Sequence, residues 1–152
     1  MNAHSLPQPT HHWNGTTYRT LLSTAETAGL MSIVHGVAGP LEGPPLHVHA
    51  DEDETFLVLD GVIDFELDGA RFRCGPMEVA FVPRGVAHSF RTGPEGATCV
   101  TVLTPGGFEG FFEEMAAGGF ELPRDIAAVA ACAARFGSRV TGPGLAQRGQ
   151  DA

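Results

Sequence analysis

His47-Val48-His49-Ala50-Asp51-Glu52-Asp53-Glu54, running on through Thr55-Phe56-Leu57-Val58-Leu59-Asp60 to Gly61, is the stretch that decides the fold. Side chains alternate across a strand, so His47 and His49 leave the same face. The three residues 51–53 are too polar for a buried strand and read as a turn. Residues 55–59 then form an apolar strand headed by Glu54. A second stretch, Pro83-Arg84-Gly85-Val86-Ala87-His88, places a third imidazole just after a turn, at the start of a strand over 87–91. Imidazoles with one carboxylate suit iron, nickel, zinc, copper or manganese, whereas calcium and magnesium want oxygen ligands. Each of Asp51, Glu52, Asp53 and Glu54 offers an oxygen. The place of Glu54 at the head of the apolar strand favours it, and the other three read as a solvated turn adding negative potential near the entrance.

Outward from this centre the strand pattern is dense. Short strands are expected at 18–22, 30–37, 62–67, 70–73, 78–82 and 98–104. Asp68-Gly69 is a two-residue hairpin signal, and Gly93-Pro94-Glu95-Gly96 reads as a second hairpin. Many strands at near-regular spacing indicate an all-β sandwich or barrel. After Pro105-Gly106-Gly107 the period changes. Phe108, Phe111, Phe112 and Met115 follow a helical spacing, and a second helix is expected from Pro123 to Phe136 with Gly137 as its cap. These helices are expected to pack on the outside of the barrel; in a sharper reading Phe108, Phe111 or Phe112 forms part of a lid. The resulting division is a flexible arm over 1–15 anchored by Trp13, a β-barrel over 16–105, a helical extension over 106–140 and a disordered tail over 141–152. His11-His12 reads as surface, because adjacent residues point apart.

Composition bounds the function. The chain has 152 residues, enough for one self-sufficient core, and a formal net charge of −9 that argues against nucleic acid or an anionic membrane surface as partner. Cys74, Cys99 and Cys132 are odd in number and widely spaced, which fits reduced cysteines in a cytoplasmic protein. No run approaches membrane-spanning length.

The two stretches resemble the two motifs of the cupin superfamily. His47 through Gly61 fits the spacing of the first, and Gly75 through His88 that of the second. The flavour is that of small single-domain quercetinase-like cupins. Two positions depart from the pattern: Leu41 stands where a glycine is expected, and Thr92 where an asparagine is often found. The resemblance implies a double-stranded β-helix, or jelly roll, with His47, His49, Glu54 and His88 holding one divalent transition metal per chain, and a homodimer.

Three neutral imidazoles and one carboxylate leave a divalent ion cationic with open positions. That suits a monoanionic bidentate oxygen ligand, or one substrate oxygen with dioxygen. The leading expectation is a dioxygenase acting on a chelating enol or flavonol-like polyphenol, with Glu54 able to take the substrate proton. A non-redox isomerase, cyclase or lyase on a polyketide- or sugar-like substrate is the alternative, and a small-molecule-binding cupin without turnover is the third. Phe56, Val58, Phe65, Phe81, Phe90 and Leu103 are candidate apolar walls of the pocket.

Overall fold

The computed structural model describes residues 8–149. Nine strands run β1 (Thr10–Trp13), β2 (Thr16–Leu22), β3 (Ser32–Ala38), β4 (Leu46–His49), β5 (Asp53–Leu67), β6 (Ala70–Cys74), β7 (Val79–Val82), β8 (His88–Thr104) and β9 (Ser138–Gly142), with helices α1 (Glu109–Gly118) and α2 (Ile126–Arg135) between β8 and β9, and a short α3 (Leu145–Arg148) after them. The strands form one curled antiparallel sheet with the path β1-β2-β3-β8-β4-β9, onto which β5 joins through β8 and carries β6 and β7. This is the jelly-roll barrel.

β5 and β8 hold the barrel together. The first part of β5 lies against the end of β8 (Glu54 opposite Leu103), and its last part against the start of β8 (Leu67 opposite His88). Register breaks at Val58/Asp60 and Gly61/Ile63 mark the corner where both strands turn from one wall to the other. The expected hairpin at 93–96 is therefore absent, because β8 runs straight through it. Its glycines serve close approach instead. A Cβ on Gly93 would meet Val62 at 2.6 Å, and one on Gly96, at φ +79°, would meet the Ala38 carbonyl at 2.5 Å. The Asp68-Gly69 hairpin is present, with both residues at positive φ (47° and 82°), as the tight two-residue turn requires.

The described segments before β2 and after α2 carry strands that the sequence does not suggest. From Thr10 the expected loose arm is β1, joined to β2 by Asn14-Gly15 at φ 48° and 71°, a hairpin signal of the same kind. Trp13 is the anchor expected of it: its indole N–H donates to the Phe120 carbonyl at 3.1 Å, and its ring meets Phe111 edge-on. The expected tail begins inside β9, and α3 follows, buried through Leu145 and tied by Arg148 to Glu66 at 2.7 Å. Of the expected arm and tail, residues 1–7 and 150–152 lie outside the described residues.

α1 packs on β1 and α2 on β9, the two edges of the six-stranded path, so the helical pair bridges the sheet margins. Two apolar clusters result. One, Phe56, Val58, Ile63, Phe65, Cys74, Ala80, Val82 and Ala97, is made wholly by barrel strands. The other draws Trp13, Val34 and Leu103 together with Phe108, Phe111, Met115, Val129, Cys132 and Ala133 from the helical extension.

Candidate metal centre

β4 carries two of the candidate ligands and is clamped on both sides. His47 pairs across with His88 on β8, and Leu46 to His49 pair along β9. The Pro83-Arg84-Gly85 turn folds back so that Gly85, at φ +79°, donates its N–H to the His49 carbonyl at 2.7 Å. Glu54, at the head of β5, reaches the same face. The ligating atoms of His47, His49, Glu54 and His88 all lie within 4.8 Å of one another. His49, Glu54 and His88 are 2%, 6% and 1% exposed.

Hydrogen bonds set the imidazole tautomers. Nδ1 of His47 lies 2.8 Å from the Pro45 carbonyl and Nδ1 of His88 lies 2.9 Å from the Val86 carbonyl. A carbonyl can only accept, so each Nδ1 carries hydrogen, and a neutral ring then presents a bare Nε2 lone pair inward. Nε2 of His88 is 2.8 Å from Glu54 Oε2, and Nε2 of His49 is 3.4 Å from the same oxygen. A bare lone pair that close to a carboxylate oxygen repels it unless a cation lies between them. Both ring nitrogens of His49 are also buried without a hydrogen-bond partner, a condition that costs about 1–3 kcal/mol per group. A divalent transition ion bound by Nε2 of the three histidines and by the Glu54 carboxylate would take up every inward lone pair, leaving Nδ1 of His49 to face Glu52 at 3.6 Å, so the donor set fits the metal.

The electrostatics agree. Burial, with His88 and His49 adding, pulls the His47 pKa down to about 3, so the ring is a neutral donor. Burial pushes Glu54 upward, but the neighbouring rings of His49 and then His88 outweigh it and hold the carboxyl at about 2. For His49, burial lowers the pKa, and the Glu54 and Glu52 carboxylates more than offset it.

Within the acidic cluster the four side chains have separate fates. Glu54 joins the ligand atoms and Asp51 is exposed, both as expected. Asp53 is engaged: Arg84 donates to its two oxygens at 3.1 and 3.0 Å and the Arg84 N–H adds a third bond at 2.8 Å, stapling the turn before His88 to the head of β5. Glu52 departs furthest from the expected solvated turn. It is 7% exposed, with Oε2 3.6 Å from Nδ1 of His49, facing the ring from the side opposite Glu54. Spacing alone offers no signal for this, because it depends on how the turn closes.

Thr92, the departure from the motif, is 1% exposed; its hydroxyl donates to the Gly39 carbonyl at 2.7 Å and accepts from the Glu42 N–H at 2.9 Å, tying the loop before β4 to β8.

The ligands open on an apolar cavity. Of the expected walls, Phe56, Phe90 and Leu103 line it, while Val58 and Phe65 lie in the strand-only core. Phe81 is a correction: it is 55% exposed, because β7 turns Ala80 and Val82 inward. The helical extension contributes Phe108, Phe111 and Phe112 to the cavity wall, and Phe108 meets the His49 ring edge-on at 4.4 Å. Phe108 thus closes the cavity beside the candidate ligand His49, while Phe112 stacks on Tyr18. Trp13 and Tyr18 line it as well, brought in by the β1–β2 hairpin.

Comparison with known proteins places this geometry. Residues 35–103 match the family model described as Cupin domain. Quercetin 2,3-dioxygenase of Bacillus subtilis is 38% identical over 73 residues, 47% of this chain, and the match spans 22% of that relative's length. Among solved structures, the polyketide cyclase RemF from Streptomyces resistomycificus is 29% identical with a TM-score of 0.53, covering 68% of this chain and 72% of that one. KdgF from Halomonas sp. aligns with a TM-score of 0.61 at 15% identity over 69% of this chain and 94% of that one, a likeness of fold.

Proposed function

The chain carries a cupin domain, and on that premise we propose that it is a metal-dependent dioxygenase acting on a chelating enol or flavonol-like polyphenol. The observation that carries this reading is the buried His47, His49, Glu54 and His88 set opening directly on an aromatic-walled cavity. The similarity to quercetin 2,3-dioxygenase over the motif-bearing part of the chain supports it.

When bound, a divalent ion would lower the pKa of a substrate hydroxyl and, if reducible, give access to dioxygen chemistry. The chain's own residues do the rest. Glu54 is assigned as the acceptor for the substrate's hydroxyl proton, a hydroxyl that a bound divalent ion would make more acidic. His47 and His88 keep their Nε2 atoms inward through the carbonyls of Pro45 and Val86. Phe56, Phe90 and Phe108 exclude water and favour a flat ligand.

A second reading has its own support. A Lewis-acid cyclase or isomerase on a polyketide-like substrate would use the same ligands without dioxygen, and the similarity to RemF extends over a larger share of the chain than the dioxygenase match. The test is metal analysis after reconstitution with Fe(II), Ni(II), Mn(II) and Zn(II), followed by oxygen uptake on a flavonol panel. Stoichiometric metal with oxygen consumption supports the dioxygenase. Metal with product but no oxygen uptake moves the assignment to the cyclase or isomerase, and ligand binding without product to a non-catalytic cupin. Failure to bind any of the four metals overturns the centre itself.

We also propose a homodimer and a cytoplasmic location. Val79 and Phe81, each 55% exposed on the outer face of β7, support a contact between copies, and sedimentation tests it. No described helix is long and apolar enough to cross a membrane.

A further inference from the structure

The register of the sheet gives the cavity a length. Glu54, Leu103 and Ser32 stand in one row across β5, β8 and β3. Val58, Cys99, Gly36 and Tyr18 stand in another across β5, β8, β3 and β2. From Glu54 to Val58 is four residues on one strand, so the second row lies ~13 Å along the barrel from the first at ~3.3 Å per residue. Cys99, Gly36 and Tyr18 all line the cavity.

This far end is kept open. Gly36 sits inside β3 and is not among the positive-φ residues, so its backbone does not demand glycine. A Cβ there would meet only Thr16 Cγ2 at 3.8 Å and Cys99 Sγ at 4.0 Å, ordinary contacts. A strand glycine forgoes both packing and rigidity, and its effect here is free volume in the cavity. The inner-face neighbours one row further, Ala38 and Ala97, are small too and also line the cavity.

Tyr18 is fixed beside this space, its ring stacked on Phe112 with centroids 4.1 Å apart and planes at 15°. Burial raises its pKa, so it is a phenol rather than a phenolate. Thr16 stands two residues before it on β2 and lines the cavity with it. A protonated phenol carries one O–H to donate to a guest. The Cys99 thiol, which burial lifts to about 11, stays protonated and serves as apolar wall.

We propose that the space floored by Gly36 and walled by Tyr18, Cys99 and Phe112 is a distal chamber for the end of an elongated planar ligand remote from the metal, with the Tyr18 hydroxyl donating to a carbonyl or hydroxyl oxygen on that ligand's far ring. The chamber rests on the proposed function's reading of the cavity and adds to it a length and a second polar contact. It selects molecules with chelating oxygens at one end and an oxygen-bearing ring at the other, over compact chelators.

The experiment uses the full chain loaded with Zn(II), which is redox-silent, and measures Kd by absorbance titration with three probes. These are 3-hydroxy-4-pyranone (the chelating head alone), 3-hydroxyflavone, and a flavonol hydroxylated on its far ring. Gly36→Val is expected to weaken both flavonols about tenfold or more by filling the chamber, with little effect on the pyranone. Tyr18→Phe is expected to weaken the hydroxylated flavonol about tenfold, 3-hydroxyflavone far less, and the pyranone not at all. Zinc content and circular dichroism check each variant, and if Gly36→Val fails to fold, Tyr18→Phe decides alone. Parallel losses on all three probes, or no loss on any, overturn the chamber while leaving the metal-centred reading intact. Failure of every probe to bind the wild type overturns that reading, and the chamber with it.

Discussion

The two apolar clusters of this barrel are built from different stock. The cluster around Phe65 is made entirely by strands within or beside the two motifs, and Val58, Ile63 and Phe65 are 0–1% exposed in it. The cluster around Phe108 borrows Trp13 from before residue 35 and Phe111, Met115 and Val129 from after residue 103, outside the family match. Of the first cluster's eight residues only Phe56, Ile63 and Ala97 border the cavity. Seven of the second cluster's nine border it, and its Phe108 meets the ring of His49, a candidate metal ligand. A shared barrel can therefore carry one ligand geometry while segments outside the motifs reshape what the metal faces.

The contrast predicts a separation of effects. His49→Ala is expected to cut metal affinity by ~100-fold or more, since loss even of a group that merely orients a ligand costs 10–100-fold; metal content after dialysis measures it, and retention of full occupancy would remove His49 from the centre. Phe65→Ala should do the reverse, costing about 3–5 kcal/mol of stability while metal content per folded chain holds. A loss of metal in that variant would show that the two clusters are not independent. Phe81→Ala, on the outer face, should change the stability of the monomeric chain by no more than about 0.5 kcal/mol, and any larger loss should appear only at concentrations where copies associate.

Acid should strike the site end. The His47 pKa is about 3 when folded against an ordinary 6.5, so below pH 6.5 the unfolded chain takes up a proton that the folded ring refuses. Stability from this residue is present above pH 6.5 and is lost as pH falls toward 3. Glu54, at about 2 against 4.5, adds loss in the same direction from pH 4.5 downward. His49 is raised and works the opposite way, its contribution lost as pH rises through its folded pKa. The Tm of metal-free protein should therefore decline between pH 6.5 and 3, and His47→Gln should flatten the upper part of that decline. An unchanged profile would separate His47 from the acid response.

The smallest effects fall in the acidic turn. Asp53→Asn should change stability little, as loss of an exposed Arg–carboxylate pair usually does, and Asp51→Ala should leave metal content unchanged. Equal metal loss for Asp51→Ala and Glu54→Ala would break the assignment of the ligating carboxylate.

Much of the fold was legible from local rules. Asp68-Gly69 encodes its hairpin in two residues, and strand alternation places His47 and His49 on one face whatever lies across from them. Where a motif serves two ends, the local reading fails. Gly93 to Gly96 looks like a turn, yet those glycines let β8 pass close to Val62 and Ala38 at the barrel corner. β9 was hidden in a short segment after a helix, and its partner β4 lies some 90 positions earlier, so nothing near it announces the pairing.

The sequence by itself pointed to the candidate ligand set and the barrel class, because the motif spacings around His47, His49, Glu54 and His88 and the two-residue alternation are local properties of the chain. Only the tertiary structure decided that Glu52 is buried against His49 while Asp53 pairs with Arg84, that α1 and α2 bridge the sheet edges, and that Tyr18 and Gly36 meet at the far end of the cavity. Each of those depends on which distant segments a curled sheet brings face to face, and burial, not spacing, then selects the role of the side chain.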